Sequence, residues 1–319
     1  MRRWIKYIIL TLIFVMLLAW QQMKAAMVAD GPLETVVNVV IPKGANSKVV
    51  AAELHQAGVI SHPLLFRLSA RLNRADKQLK AGEYQFMPKV SILQALEKIA
   101  RGEVYYRRIT IPEGLTTGQI MYMISNYPGL SGEIDVAVKE GELLPETYSF
   151  ELDAPRNSII IQAKSAMDKI KKVIWENRDP NLPYKNINEM MTMASIIEKE
   201  TSVAAERPRV ASVFMNRLAK RMRLQTDPTV IYAITEGEFE LKRALKKSDL
   251  SIDSPYNTYR NYGLPPAPIC NPGIASMEAA AHPESTSYLY FVADGKGGHN
   301  FSKTLAEHNR NVKIWQKSR

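Results

Sequence analysis

The order of apolar and polar residues divides the first third of the chain into an apolar segment followed by short strands and helices. Residues 36–41 form a β-rich run that Pro42 and Gly44 end, which is typical of a strand and its turn. Apolar residues spaced three and four apart, such as Val50 and Leu54, indicate amphipathic helices. The predicted strands are residues 36–41 and 82–86, and the predicted helices lie around residues 49–55, 63–72 and 92–99.

A short sequence occurs twice. Residues 40–44 read Val-Ile-Pro-Lys-Gly, and residues 110–114 read Thr-Ile-Pro-Glu-Gly. Each copy closes a β-rich run and precedes a predicted helix. Two copies are too few for a solenoid. We therefore interpret them as two related strand–turn–helix units of one small α/β module.

The remainder is predicted to be mainly helical, with a region rich in proline and tyrosine near its end. Residues 157–177 form a long amphipathic pattern that ends where residues 178–183 bring in two prolines. Two more helices are predicted over residues 187–201 and 209–218, and residues 288–292 form an apolar run. We expect an α+β fold whose main core extends from about Thr110 to Trp315.

Composition narrows the class of protein. The 319 residues are enough for one membrane segment and two domains of roughly 100–200 residues each. The net charge of +10 suits an anionic membrane surface, an acidic polymer or nucleic acid, or is simply that of a basic surface. Because lysines and arginines are scattered and no nucleic-acid-binding motif is present, we exclude nucleic acid as a partner.

The first residues are typical of a membrane segment. Arg2, Arg3 and Lys6 flank an apolar run over residues 7–20, and Trp4 and Trp20 bracket that run as interfacial aromatic residues do. The run is shorter than the roughly 20 residues of a spanning helix, but counting from residue 4 brings it close. We expect an uncleaved anchor over residues 1–24 with its basic end in the cytoplasm, and a short spacer over about residues 21–35. A cleaved signal peptide is the alternative, although no clear cleavage site follows.

Cysteine and histidine offer little chemistry. The single Cys270, beside Ile269, is interpreted as a small buried apolar residue rather than a nucleophile. None of the five histidines lies four residues from another, so we predict no metal site and no cofactor.

The helix predicted over residues 187–201 has one apolar face that contains a carboxyl group. At about 100° per residue, Glu200 lies on this face, Glu198 lies at its edge and Lys199 points the opposite way. The apolar members of the face are Met190, Met193, Ala194, Ile196 and Ile197.

A carboxyl group directed into apolar surroundings is costly unless it is neutral or paired. Burial raises its pKa, which a general acid working near neutral pH needs. This favours Glu200 as a proton donor. The alternative is a glutamate at a helix end that pairs with Arg207 or Arg209. Further on, Asp227 precedes Pro228 and is predicted either to cap a helix or to take part directly in the chemistry.

Several sequence blocks then match a known family. They read Ala-Ser-Ile-Ile-Glu-Lys-Glu-Thr at residues 194–201, Val-Phe-Met-Asn-Arg-Leu at 213–218 and Leu-Gln-Thr-Asp-Pro-Thr-Val-Ile-Tyr at 224–232. Later blocks are Tyr-Asn-Thr-Tyr at 256–259, Gly-Leu-Pro-Pro at 263–266, Asn-Pro-Gly at 271–273, Ala-Ala-His-Pro at 280–283, Tyr-Leu-Tyr-Phe-Val at 288–292 and Gly-Lys-Gly-Gly-His at 295–299. In this order they resemble the YceG-like family of endolytic murein transglycosylases.

The resemblance implies a function and an arrangement of domains. The second glutamate of the Glu-Lys-Glu-Thr motif is catalytic in that family, and it corresponds to Glu200. A LysM-like, glycan-binding α/β module is implied over residues 35–108, and a mixed α/β catalytic domain over residues 109–319. The implied location is the bacterial cytoplasmic membrane, crossed once, with the N-terminus inside and the catalytic domain on the periplasmic or extracellular side. The implied partners are peptidoglycan glycan strands, that membrane and wall-synthesis enzymes.

Six residues are candidates for lining the substrate groove, where they would contact N-acetyl and hydroxyl groups and stack on sugar faces. They are Gln225, Asp227, Tyr256, Asn257, Thr258 and Tyr259. The alternative is that these residues only shape turns in a proline-rich region.

The implied reaction uses one carboxyl group, whereas most glycosidases use two. Glu200 would protonate the oxygen that leaves C1 of N-acetylmuramic acid. Its carboxylate would then accept the proton of the C6 hydroxyl, which attacks C1 and leaves a 1,6-anhydro end. Three alternatives stay open: a muramidase-type hydrolase that uses the same glutamate with water, a membrane-tethered wall-binding protein without catalysis, and a scaffold for wall-synthesis enzymes.

Overall fold

The computed structural model describes residues 2–317, and for residues 2 and 3 the backbone alone. Residues 1, 318 and 319, the outermost parts of the predicted anchor and catalytic domain, lie outside the described residues. The chain divides into two compact units. One contains the residues up to Arg107 together with Ser149–Asp153, and the other contains Arg108–Tyr148 and the residues from Ala154 onward.

The chain begins with a long apolar helix, α1 (Arg2–Val28). Its part Trp4–Val28 is long and apolar enough to cross a membrane, with a mean hydropathy of 1.8. The spacer predicted from residue 21 is wrong up to Val28, because residues 21–28 are good helix formers without proline or glycine. The helix ends shortly before Gly31 and Pro32.

The first unit has its own apolar core, formed by short helices and a two-stranded sheet. Its further elements are β1 (Val37–Ile41), α2 (Ser47–Gln56), α3 (Pro63–Leu72), β2 (Gly82–Phe86) and α4 (Ile92–Arg101). Strands β1 and β2 pair antiparallel, with Val37 opposite Phe86. Asn46 caps α2, and Ser91 with Gln94 forms a capping box at α4. The two strands and three helices predicted for this region are confirmed.

The second unit is mainly helical. Its elements, of which β3 and β5 each extend across the unit boundary, are β3 (Arg107–Thr110), α5 (Thr117–Ser125), β4 (Leu130–Ser131), β5 (Thr147–Phe150), β6 (Ala154–Pro155), α6 (Arg156–Asn177), α7 (Ile187–Glu200), α8 (Arg207–Ala219), α9 (Asp227–Thr235), α10 (Ile274–Ala281), β7 (Tyr290–Ala293), β8 (His299–Ser302) and α11 (Leu305–Lys317). Strands β4 and β6 pair in parallel, and β7 and β8 form an antiparallel hairpin. The mixed α+β class is confirmed.

Helix α7 lies at the centre of this unit, in contact with α6, α8, α9 and α10. The five apolar residues of its predicted inward face are all fully buried. Because α7 is surrounded, residues on its other sides, such as Ser195, are buried as well. Cys270 packs against this helix, and its thiol donates a hydrogen bond to the Ser195 carbonyl oxygen at 3.4 Å. Its predicted role as a small buried residue is confirmed.

The two copies of the repeated sequence do not belong to one module. Residues 40–44 lie in the first unit, and residues 110–114 lie in the second. Each copy does connect a strand to a helix, β1 to α2 and β3 to α5. The similarity therefore reflects a local strand–turn–helix geometry, with Gly44 and Gly114 both in the left-handed region that glycine adopts readily.

Candidate active site

Glu200 is the last residue of α7, at the point where the chain leaves the helix and becomes extended at Thr201. Its side chain lies on the inward face of α7 but keeps part of its surface open to a cleft. The cleft has a volume of about 400 Å³. A carboxyl group thus lies between the apolar core and a space that can hold a ligand.

The cleft walls come from six parts of the second unit: the end of α7, α8, the segment leading into α9 with its first residue, the loop that carries Tyr259, the β7–β8 hairpin and α11. Besides Glu200, the lining residues are Phe214, Arg217, Leu224, Gln225, Asp227, Tyr259, Tyr290, Phe291, Leu305 and His308. Aromatic rings and polar groups therefore face the same space, which is typical of saccharide and other small-molecule sites.

Thr226 holds the Glu200 carboxyl group. Its hydroxyl donates a hydrogen bond to Glu200 Oε1. Thr258 in turn supports Thr226. Thr258 Oγ1 accepts a hydrogen bond from the Thr226 amide at 3.1 Å and is hydrogen-bonded to Thr229 Oγ1 at 2.8 Å. The buried threonines therefore fix the orientation of the catalytic candidate from the protein side.

Burial raises the pKa of Glu200 from 4.5 to about 7. The hydrogen bond from Thr226 lowers this pKa, the nearby Asp227 carboxylate raises it, and the charges of His299 and Arg217 lower it. A pKa of about 7 allows the group both to donate and to accept a proton near neutral pH.

Glu200 does not form the ion pair that was the alternative to a catalytic role. Arg209 pairs with Glu284, with Nε and Oε2 2.9 Å apart. Arg207 lies 3.5 Å from Glu198 Oε1 and 3.5 Å from Glu113 Oε2. The two glutamates of the motif therefore have different roles, since Glu198 is the structural partner and Glu200 faces the cleft.

Asp227 is the first residue of α9 rather than its cap. The N-cap is Thr226, and Pro228 follows in the first turn. The prediction that Asp227 caps this helix is wrong, because its carboxylate instead accepts a hydrogen bond of 2.6 Å from the Tyr259 hydroxyl. Both side chains line the cleft, so Asp227 is the second carboxylate of the site.

Of the six predicted groove residues, three line the cleft and three lie behind it. Gln225 adopts a left-handed backbone with φ of 51°, a strained conformation for a residue with a side chain, and it faces the cleft with Asp227 and Tyr259. Tyr256 packs on Tyr232, with ring centroids 4.8 Å apart. Asn257 and Thr258 are fully buried and hydrogen-bonded within the protein.

Asn257 organises the loop that presents Tyr259. Its amide donates to the carbonyl oxygens of Leu250 and Ile252 at 3.1 and 2.8 Å, and its Oδ1 accepts from the Tyr259 amide at 3.0 Å. Asn257→Ala is expected to lower the free energy of unfolding by about 2–3 kcal/mol, because three backbone groups lose their partner. Displacement of Tyr259 is expected to lower turnover at least about tenfold, read from thermal melts and product release.

The matched control is Asn261→Ala, which removes a more exposed amide from the same loop. Its effect on the free energy of unfolding is expected to stay below about 1 kcal/mol. Equal stability and activity of the two variants would contradict the role given to Asn257.

A larger cavity of about 590 Å³ lies at the opposite end of α7. Glu189, Tyr262 and Pro266 are among its lining residues, and Glu200 is not. Within residues 2–317, no group of three or more His, Cys, Asp or Glu side chains is arranged to hold a metal ion. The absence of a cofactor stays a prediction. The geometry favours the smaller cleft as the reaction site, because it contains the acid with the raised pKa.

Comparison with known proteins identifies the family. The sequence profile of the YceG-like family matches residues 39–314. The chain belongs to this family. The resemblance inferred from its sequence blocks is thereby confirmed.

Two similar proteins are named as endolytic murein transglycosylases. The chain is 35% identical over 313 residues to an endolytic murein transglycosylase of Bacillus subtilis (strain 168), covering 87% of this chain and 84% of that protein. It is 30% identical over 331 residues to an endolytic murein transglycosylase of Streptococcus pneumoniae (strain ATCC BAA-255 / R6), and the match covers 89% of this chain and 59% of that protein. The crystal structure of a YceG-like protein from Listeria monocytogenes superposes with a TM-score of 0.51 at 36% identity, over 87% of this chain and 99% of that one.

Several residues of the candidate site could not be predicted from the sequence. Thr226 and Arg217 lie inside blocks that match the family, but nothing in the linear pattern singles them out from their neighbours. Leu305 and His308 lie on α11, outside every block. Only the tertiary structure brings α11 to the cleft, where this helix packs on the β7–β8 hairpin.

Proposed function

We propose that this chain is an endolytic murein transglycosylase, which cleaves the bond between N-acetylmuramic acid and N-acetylglucosamine in peptidoglycan and terminates or trims nascent strands. The observation that carries the proposal is Glu200, a carboxyl group without an ion-pair partner among residues 2–317, whose pKa of about 7 suits proton transfer in an open cleft. The names of the relatives from Bacillus subtilis and Streptococcus pneumoniae agree with it.

Glu200 acts as acid and then as base. In its neutral form it donates a proton to the oxygen that leaves C1 of N-acetylmuramic acid, while the N-acetyl group of the substrate helps to stabilise the developing positive charge. The resulting carboxylate accepts the proton of the C6 hydroxyl as this oxygen bonds to C1. The product has a 1,6-anhydro end, and no water is consumed.

Gln225, Asp227 and Tyr259 form the polar wall of the proposed groove, and Tyr290 and Phe291 form its aromatic wall. The polar wall offers hydrogen-bond partners for N-acetyl and hydroxyl groups, and the aromatic rings offer faces for sugar rings. Tyr256, Asn257 and Thr258 then act indirectly, by supporting the residues that touch the glycan.

The N-terminal parts have proposed roles in attachment. A LysM-like, glycan-binding module is proposed for residues 35–108, which contain a core of their own in the order β1, α2, α3, β2, α4. Helix α1 is proposed to cross the cytoplasmic membrane with its basic end inside, so that the catalytic domain, residues 109–319, lies on the outer side with the wall-synthesis enzymes.

A hydrolase of the muramidase type is the second candidate function, and the Asp227 carboxylate in the cleft favours it. Ordinary glycosidases use two carboxyl groups, one of which activates water or the sugar. A transglycosylase and a hydrolase that share Glu200 leave different ends on the same strand.

Product analysis tests the proposal. The full chain in detergent is incubated with purified peptidoglycan in isotopically labelled water, and the released fragments are analysed by mass spectrometry. The expected fragments end in 1,6-anhydro-N-acetylmuramic acid, lack one water and carry no label. Reducing ends that carry labelled oxygen would establish the hydrolase instead, and an absence of released fragments would leave only a binding role.

A further inference from the structure

Arg217 is a buried cation in the wall of the proposed active site. It lies near the end of α8 with 9% of its surface exposed, and it lines the same cleft as Glu200. Taking a guanidinium out of water is unfavourable unless hydrogen bonds and a negative charge compensate for it. The contacts of Arg217 therefore decide what it does.

The hydrogen bonds of Arg217 go to neutral groups. Its Nε–H donates to the Leu289 carbonyl oxygen and its Nη1–H donates to the Leu224 carbonyl oxygen, both at 2.7 Å. The guanidinium carbon lies 5.2 Å from the centroid of the Tyr290 ring. These contacts join α8 to the segment before α9 and to the start of β7. They compensate only in part for burying the guanidinium, because the ring and the two carbonyl groups carry no net negative charge.

No carboxylate of the described chain forms an ion pair with Arg217, and its Nη2 has no hydrogen-bond partner among residues 2–317. Two carboxyl groups face the same cleft, Glu200 and Asp227. The carboxylate of Asp227 already accepts a hydrogen bond from Tyr259. Glu200 is neutral when it acts as an acid and becomes negative as soon as it has donated its proton.

Other charged groups also shift the pKa of Glu200, and their effects have to be distinguished from that of Arg217. Asp227 opposes ionisation of Glu200, while His299 and Arg217 favour it. His299 is held by Glu206, with Nδ1 and Oε2 2.7 Å apart. The guanidinium of Arg217 stays charged at every pH at which the protein is folded.

We propose that Arg217 is a positioning residue that stabilises the Glu200 carboxylate formed after proton donation, in addition to holding the wall of the cleft. The inference rests on the proposed role of Glu200 as acid and base. The positive charge makes the first proton transfer easier and keeps the carboxylate in place until it accepts the proton of the C6 hydroxyl.

Charge and hydrogen bonding are separated by Arg217→Gln and Arg217→Lys in the full chain. Both variants lose part of the hydrogen bonding, but only the glutamine variant loses the charge. The initial rate of fragment release is measured from pH 5 to pH 9, together with the melting temperature. Lys220→Gln, at the exposed end of the same helix, removes one charge outside the cleft and is the matched control.

Arg217→Gln is expected to lower the maximal rate at least about tenfold. It is also expected to move the alkaline limb of the pH–rate profile upward by about half to one pH unit, because a carboxyl group that loses a nearby cation holds its proton more tightly. In Arg217→Lys and Lys220→Gln, the alkaline limb of the pH–rate profile is expected to stay at the pH of the wild-type chain. If the glutamine variant does not fold, Arg217→Met supplies the neutral side chain.

The inference would be overturned if the alkaline limb of the pH–rate profile fell at the same pH in Arg217→Gln (or Arg217→Met) as in Arg217→Lys. Arg217 would then have a purely structural role. Glu200→Gln, measured in the same assay, distinguishes this failure from failure of the proposed function. An inactive Glu200→Gln with an unmoved limb in the Arg217 variants overturns the inference alone. An active Glu200→Gln overturns the proposed function and the inference with it.

Discussion

Glu200→Gln is expected to reduce fragment release from purified peptidoglycan by about a thousandfold or more, because the amide can neither donate a proton to the leaving oxygen nor accept one from the C6 hydroxyl. The fold is expected to persist, since glutamine has nearly the same shape and its Oε1 can still accept the hydrogen bond from Thr226. The measurement is mass spectrometry of released fragments, with circular dichroism as a check of folding.

The same variant is expected to be more stable than the wild-type chain at alkaline pH. The pKa of Glu200 is raised from 4.5 to about 7 in the folded protein, so the folded state binds this proton more tightly than the unfolded state. The wild-type chain therefore has its full stability below about pH 4.5 and loses part of it as the pH rises through about 7. The neutral amide of the Glu200→Gln variant has no such dependence, and the variant is expected to gain about 1–3 kcal/mol at pH 8 relative to the wild type.

Melting temperatures of the two proteins at pH 4.5 and pH 8 measure this effect. They should nearly coincide at the lower pH and diverge at the higher one. A Glu200→Gln variant that releases fragments at the wild-type rate would end the case for Glu200 as the acid. A stability difference between the two proteins that does not change with pH would show that burial does not raise the pKa of the Glu200 carboxyl group.

Glu198→Gln is expected to do the opposite, lowering the free energy of unfolding by about 2–3 kcal/mol. The Glu198 carboxylate is 6% exposed, lies 3.5 Å from the 11% exposed guanidinium of Arg207, and accepts a hydrogen bond of 2.9 Å from the Gly273 amide. A neutral amide leaves Arg207 with Glu113 alone, and Arg207 Nε already lacks a partner among the described residues. The activity of Glu198→Gln is expected to fall only if the change displaces α7 and with it Glu200, because Glu198 does not line the cleft.

The matched control is Glu284→Gln. Glu284 also pairs with an arginine, Arg209, but its side chain is 40% exposed, and such pairs contribute roughly 0–1 kcal/mol. Urea unfolding of the two variants compares a buried pair with an exposed one. Equal midpoints for both would contradict the structural role assigned to Glu198.

The two glutamates show how far local reasoning reaches. Helical periodicity placed Glu200 on the inward face of α7, and the structure confirms that its apolar neighbours on this face are buried. Periodicity did not reveal which glutamate pairs with Arg207. The partner of Arg207, the first residue of α8, is decided by how α8 packs against α7.

The predictions that were wrong also concern features that depend on backbone conformation or on contacts between distant residues. The extended backbone of Thr226 makes it the N-cap of α9, the position predicted for Asp227. Asp227 instead accepts a hydrogen bond from Tyr259, 32 residues away in sequence. The helix α1 continues through the predicted spacer because nothing in residues 21–28 breaks it. Tyr256, Asn257 and Thr258 belong to the same block as Tyr259, yet only one of the four side chains reaches the cleft.

The sequence alone was enough to predict the apolar N-terminal helix and most of the short elements, to indicate the family, and to single out Glu200 as the candidate proton donor. These depend on composition and on interactions within a few residues, which a linear pattern records. Only the tertiary structure decided that Thr226 holds Glu200, that Glu198 pairs with Arg207, and that the β7–β8 hairpin and α11 line the same cleft as Arg217. Thr226 and Glu200 lie 26 residues apart, and Arg217 and Leu289 lie 72 apart. Glu198 and Arg207 are only 9 residues apart but belong to different helices, so each of these contacts depends on how the helices pack around α7.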